Sequence, residues 1–406
     1  MARFGGLLIG FETRAWSRRH ALRFGCATCA GFPSWLSGGA VFAQQAAERV
    51  DAIPERFERP AIDSDEGGLW AIMDREETRL RRSSFLITNP ALKSYLQSVL
   101  HKIAASHGPD IRIYAVRNPW FNASIAPNGM MQIWSGLLLR LENEAQLVAV
   151  LAHEFSHYLN RDSLQRLQDL KSRSAAMTMM APLGWVGLAG QLIALAGAFT
   201  YSRAHETRAD QLGIELMRKH GYRTSQAAHL WEQLRGELSV GAGGDPALKS
   251  VLFATHPGIE ERSRALSELS ASDTGGDLGA DRYLDAIDPL LPDLLADELK
   301  RSQYDETIAL MSRLASAVRG RAQILAARAD AYRLRGQGDD SLRAIDDYQA
   351  ACQLERAPAL AWRGLGLVQK SRKQNEAAAV AFTRYLAMAP SAPDAALIQS
   401  YLEELK

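Results

Sequence analysis

Three cysteines among 406 residues, at positions 26, 29 and 352, are too few for a fold built on disulfides. An excess of charge of either sign is missing too: 47 Lys and Arg face 46 Asp and Glu, a formal charge of +1. Nothing in that balance asks for nucleic acid, and no acidic tail is present. Composition is otherwise ordinary, 47% hydrophobic and 23% charged, which excludes wholesale disorder and leaves room for two or three domains.

Two uncharged runs carry expectations of their own. The first, 24–43, follows Arg3, Arg14, Arg18, Arg19 and Arg23, opposed only by Glu12, and ends in Val41-Phe42-Ala43. Residues 1–43 therefore read as an export signal cleaved before Gln44, and Ser17 to Arg23 resembles a twin-arginine signal; the competing reading is a retained membrane anchor. Loss of five Arg and one Glu leaves a net charge near −3, and Cys352 alone, with no partner for an internal disulfide and the character of a helix-packing residue. The second run, 174–202, is long enough to cross a membrane, but Pro182, Gly184, Gly187 and Gly190 break it in the middle. A buried helical hairpin, a hairpin dipping into a membrane surface, and a pair of true spans all remain open.

Between the runs, residues 66–106 show two helical patterns and 111–116 alternate like a strand. Asn122 to Ala126 and Met130 to Trp134 flank Pro127-Asn128-Gly129, a turn signal between two short strands. A helix is expected over about 143–170, opened by a capping box of Asn143 and Gln146. Residues 236–249 and 271–281 read as loops. From about 286 the chain becomes wholly helical. There Trp362, Leu365, Gly366, Ala378, Phe382 and Pro390 fall at tetratricopeptide spacings, although Gln369 and Tyr385 depart from the usual residues. Small residues at 366 and 378 would let two helices approach, with Trp362 and Phe382 filling the groove. A preceding unit of Leu325, Tyr332, Ala344, Tyr348 and Leu354 fits with about three extra residues in its turn, and 295–314 reads as a further degenerate hairpin. The expected chain is mainly α, with a catalytic-type domain holding a small sheet at 44–285 and helical repeats at 286–406.

The chemistry lies in His153-Glu154-Phe155-Ser156-His157, an H-E-x-x-H string on an apolar helical run. Histidines at i and i+4 share a helix face and can reach one Zn²⁺, while Glu154 addresses a water as general base. The bland reading is a pair of partly exposed histidines on a core helix. A catalytic zinc needs a third protein ligand. The extended form of the motif is absent, with Asn160 and Ser163 in its remaining positions. Glu206 and Asp210, at i and i+4, supply a pair in which one carboxylate ligates and the other orients a ligand imidazole. His205 is a rival ligand about 100° round the helix, and Glu206 could instead pair with Arg203 and Arg208 in solvent.

H-E-x-x-H followed by Ser202-Arg203…Glu206…Ala209-Asp210, and then by Thr255-His256-Pro257…Arg262, resembles the HtpX and CAAX-prenyl-peptidase family of zinc metallopeptidases. With an export signal and a repeat tail, the resemblance is to its periplasmic, tetratricopeptide-bearing branch. It implies a zincin-like domain, one Zn²⁺ per chain held by His153, His157 and Glu206, Glu154 as catalytic base, and Asp210 behind the ligands. It further implies that His256 occupies the fourth position at rest as a latch. The oxyanion would be stabilised by His256 or Arg262, and an extended substrate would add beside Asn122, Ala123 and Ser124. The expected activity is cleavage of misfolded or stalled envelope proteins, those of the outer membrane included. The repeats would dock substrate or assembly machinery, and 174–202 would touch the membrane periphery. The rival class is a chaperone or adaptor working through the repeat groove over a structural or vestigial zinc. A membrane-integral prenyl-protein peptidase would need more hydrophobic spans than the chain has. One departure from the family is Pro127-Asn128-Gly129, where Pro-Gly-Gly is common.

Overall fold

Asparagine and serine caps set the first helices. Ser64 opens α1 (Asp65–Arg81), its side chain accepting from Gly67 N–H, and Asn89 opens α2 (Pro90–Ala104) by accepting from Leu92 N–H. Leu92, Leu96, Val99, Leu100 and Ile103 form one buried stripe of α2. In the computed structural model, residues 53–178, 201–240, 256, 258–316 and 320–405 are described. The expected export signal, and the 174–202 run from 179 to 200, lie outside them. Among the described residues no helix is long and apolar enough to cross a membrane.

Three strands follow: β1 (Arg112–Val116), β2 (Ala123–Ile125) and β3 (Met130–Trp134), in the order β1-β3-β2. β3 runs parallel to β1 and antiparallel to β2. The hairpin turn depends on Gly129, at φ +82°, where a Cβ would lie 2.3 Å from the Asp110 carbonyl oxygen. Asn128 ties the same turn down: it donates to Asp74 (2.8 Å) and Glu77 (3.2 Å), and its own oxygen accepts from Met130 N–H. A second glycine there would lack these bonds.

β3 leads directly into α3 (Ser135–Arg140) and then α4 (Glu144–Leu159). Asn143 caps α4 by accepting from Gln146 N–H at 2.9 Å. The returning bond of the expected capping box goes one residue further out, from Glu142 N–H to Gln146 Oε1. The helix expected over 143–170 is two helices. Arg161 adopts φ +52°, and the chain turns there into α5 (Asp162–Thr178). The left-handed residue is held from outside, its guanidinium over the Phe57 ring and 3.0 Å from Glu66. Beyond lie α6 (Arg203–Lys219), α7 (Ser225–Ser239) and α8 (Ile259–Ser270). α7 carries helix through residues 236–239, where the glycine content suggested a loop; Leu238 and Glu237 are buried and hold that last turn.

α9 (Ala280–Ile287), α10 (Leu291–Lys300) and α11 (Tyr304–Leu314) precede α12 (Arg321–Arg335), α13 (Asp340–Gln353), α14 (Ala359–Ser371), α15 (Asn375–Met388) and α16 (Ala395–Glu404). Consecutive helices pack in pairs, α12 on α13 and α14 on α15. Gly366 lets Phe382 approach; a Cβ there would sit 2.5 Å from the ring, and one at Gly364 would sit 2.2 Å from Tyr348. Cys352 packs against the core, and burial pushes its thiol up to about 11.

Packing is continuous across residue 285. Arg140, at the end of α3, is 2.6 Å from Glu237 on α7 and 3.0 Å from Glu298 on α10. Arg301 closes the network, 2.5 Å from Glu298 and 2.8 Å from Glu306. All five side chains are buried.

Candidate metal centre

α4 projects His153 and His157 from one face, and their Nε2 atoms stand 3.1 Å apart. Glu206, in the first turn of α6, comes within 3.5 Å of His153 Nε2 and 3.6 Å of His157 Nε2. Nδ1 of His256, just before α8, lies 3.3 Å from His153 Nε2 and 3.0 Å from Glu206. One donor atom from each of the four residues falls within 4.8 Å of the others, and all four residues are buried.

This geometry can be tested against an ion. Four ligand arms of ~2.0–2.1 Å in a tetrahedron set donor atoms ~3.3–3.4 Å apart. The observed separations, 3.0 to 3.6 Å, bracket that value. Imidazole and carboxylate are also the donors that such a site requires. The residues fit a metal ion.

Each α4 histidine is oriented from behind. His153 Nδ1 lies 2.9 Å from Asp210 and His157 Nδ1 lies 2.7 Å from Asp162, which frees both Nε2 atoms for the cluster. Asp210 is fixed in turn by two bonds from Arg262, at 2.7 and 2.8 Å. A third Arg262 nitrogen pairs with Glu206 at 2.8 Å. The guanidinium thus braces two carboxylates, and its cationic face lies over Trp231. Arg208 braces Asp162, and the Tyr201 ring stacks on His157 at 3.7 Å.

The electrostatics follow from burial and these partners. Burial and Arg262 both act to lower the His153 pKa, but bonds to Asp210 and Glu206 prevail and hold it up at about 9. His157 goes the other way, well below its ordinary value, through burial and the neighbouring imidazoles. Burial works to raise Glu206, yet His256 and His153 hold its carboxyl well below the usual range. Burial also raises Glu154. One Glu154 oxygen is 3.7 Å from His256 Nε2, and the other has no hydrogen-bond partner among the described residues.

The sequence reading named His153, Glu154, His157, Glu206, Asp210, His256 and Arg262, and the structure brings these seven together. His205 lies off the cluster, edge-on to Tyr201 with ring centroids 6.3 Å apart. Glu206 is not on a solvated face: it is 1% exposed, while Arg203 pairs with Glu261 and Arg208 with Asp162. Asn122, Ala123 and Ser124 lie on or beside β2, which packs against α4. Asn122 O accepts from Trp134 N–H and Ala126 N–H donates to Met130 O, so alternation leaves the backbone groups of Ala123 and Ile125 on the edge that no other strand among the described residues pairs with. Beside Glu154 an apolar cavity is lined by Phe121, Val150, Ile214, Met217, Leu230 and Trp231.

Asp162 and Tyr201 were not anticipated. For Asp162 the signal was Asn160-Arg161-Asp162, a turn-prone tripeptide that stops the helix and swings a carboxylate back onto His157. Replacing Asp162 by Asn is expected to weaken metal affinity by roughly 10–100-fold, read by competition with a chromophoric chelator while the helical circular dichroism stays unchanged.

A buried His-His-Glu cluster with a second-sphere carboxylate behind each α4 histidine and a free carboxylate beside it is the arrangement of a metallopeptidase. Residues 87–270 match the model of Peptidase family M48. Two relatives illustrate the likeness. The mitochondrial metalloendopeptidase OMA1 of Schizosaccharomyces pombe is 31% identical over 182 residues, 43% of this chain and 52% of that protein. The beta-barrel assembly-enhancing protease of Escherichia coli K12 is 26% identical over 193 residues, 43% of this chain and 39% of that protein. The chain thus spans about half or less of the length of the relatives it matches.

Proposed function

We propose that this protein is a zinc-dependent endopeptidase of the cell envelope that cleaves misfolded or stalled proteins, outer-membrane ones among them. The observation that carries the catalytic part is the convergence of donor atoms of His153, His157, Glu206 and His256 within 4.8 Å of one another, beside a Glu154 oxygen with no partner among the described residues. His153, His157 and Glu206 would hold one zinc per chain, with His256 in the fourth place at rest. When bound, zinc supplies Lewis acidity toward a carbonyl and eases deprotonation of water. Glu154 takes the water proton and later returns it to the leaving amine; its raised pKa suits both transfers. The free edge at Ala123 and Ile125 pairs with an extended substrate backbone, which reads shape rather than sequence. Arg262 is spent on Asp210 and Glu206, so its part is to brace the carboxylates around the site.

The setting is also a proposal. The name of the bacterial relative, a beta-barrel assembly-enhancing protease, supports a substrate linked to β-barrel assembly, and the envelope setting rests on the expected export signal. Residues 1–43 would be the export signal, 44–285 the peptidase domain and 286–406 tetratricopeptide-like repeats. The close packing at Gly364 and Gly366 supports the repeats, which would dock substrate or the outer-membrane assembly machinery. Residues 174–202 would touch the membrane surface.

The test is direct. The purified protein should contain one zinc per chain and degrade reduced casein, and a chelator should stop it. A protein that takes up no zinc, or that degrades equally well without it, would overturn the reading. His256→Ala should raise basal casein cleavage several-fold, since it empties the fourth position; unchanged or lower turnover would remove the latch.

A further inference from the structure

The segment that enters the substrate edge is gripped by a helix on the repeat side of the chain. Residues 117–122 connect β1 to β2. On one side of this connection, Phe121 faces Trp231 with ring centroids 6.5 Å apart and lines the apolar cavity shared with Glu154. On the other, three contacts reach it from α10 and the residue after that helix. Asp297 accepts two bonds from Arg117, at 2.5 and 3.0 Å. The Arg301 guanidinium covers the Trp120 ring at 4.3 Å. Glu298 holds Arg140, whose guanidinium also donates to the Pro119 carbonyl at 3.5 Å and the Gly136 carbonyl at 3.0 Å. From below, Asn118 O accepts from Gly136 N–H, and a Cβ at Gly136 would lie 2.1 Å from Pro119 O. The connection is thus gripped from both sides, and α10 holds one of them.

We propose that Asp297, Arg301 and Trp120 are positioning residues for the substrate edge, through which the helix at 291–301 fixes where β2 lies relative to Glu154. The claim deepens the reading of Ala123 and Ile125 as the substrate edge and rests on it. None of the three residues touches the metal cluster, so they act on the placement of the extended chain and leave proton transfer alone. An edge strand displaced by about an ångström loses the alignment of its backbone bonds, and rate is steeply sensitive to such misplacement. A helix beyond the matched family segment, which ends at 270, therefore helps to shape the active cleft.

The Arg117–Asp297 pair is the place to test this, because Arg117 is 43% exposed at its side chain and buried Asp297 keeps Lys300 at 2.9 Å when Arg117 is changed. Arg117→Asp, Asp297→Arg and the double charge swap are made in the full chain. Steady-state cleavage of fluorescein-labelled reduced casein gives KM and kcat. The same substitutions in a Glu154→Gln background give the Kd for that casein by anisotropy, a readout that needs no turnover. Each single reversal should raise KM and Kd about tenfold, with kcat within twofold and one metal per chain retained. The double swap should restore both to within about threefold. Unchanged KM and Kd in the single variants would overturn the proposal. So would a swap that recovers thermal stability without recovering Kd, or a fall in kcat or metal content as the main effect. If casein binds as expected but wild-type protein never cleaves it, the proteolytic reading fails while the positioning claim still stands on the Kd values.

Discussion

Glu154→Gln is expected to abolish casein cleavage, by roughly 10²–10⁴-fold, while leaving metal content and unfolding midpoint where they were. Glutamine keeps the shape of the side chain and removes the base. Glu154 is not one of the four residues whose donor atoms converge, so the metal should be retained. This result separates the peptidase from a chaperone with a structural metal site, for which position 154 would be indifferent. Equal turnover in the two proteins would end the catalytic assignment.

The second large effect concerns stability. Arg140→Ala should cost about 3–5 kcal/mol, because it leaves Glu237 and Glu298 buried without their shared cation. Burial already holds Glu237 above its usual value, and Glu298 is kept below its own by Arg140 and Arg301. Without Arg140, Glu237 would be raised further above its unfolded value, while Glu298 keeps Arg301 at 2.5 Å. Folding would then favour protonated Glu237, so the deficit should shrink as pH falls from 8 toward 5. Urea unfolding at the two pH values checks magnitude and sign together. Replacing Glu237 and Glu298 by Gln alongside the alanine should recover much of the loss. If it does not, the cost lies in packing rather than in stranded charge.

How much of this was legible depended on how local each signal was. His153, Glu154 and His157 lie within one helical turn and a half, so a period of 3.6 is enough to bring them together. The β2–β3 hairpin was equally local, written in Pro127-Asn128-Gly129. Glu206, 49 residues beyond His157, was legible as a candidate through its i, i+4 relation to Asp210, and its choice over His205 leaned on a family pattern. Asp162 was missed because turn-prone Asn160 and Asp162 mark where a helix can stop, but not that Arg161 turns left-handed and the carboxylate comes back onto His157. What fixes it is remote: Phe57 and Glu66, about a hundred residues earlier. Arg140 was least readable. It ends the short, wholly buried helix Ser135 to Arg140, and its partners lie 97 and 158 residues further along. Buried charge is written in pairings that sequence distance hides.

Asp162 and Tyr201 bear on one further matter. The chain leaves the metal cluster at Asp162 and comes back at Tyr201, and the two ends meet: Ser163 and Tyr201 hydroxyls lie 3.4 Å apart, and Arg208 grips Asp162. Departure and return share a single neck. His157 is therefore anchored from both sides of that stretch, by Asp162 with Arg208 behind it and by the Tyr201 ring, so its orientation is shared between two points of the chain far apart in sequence.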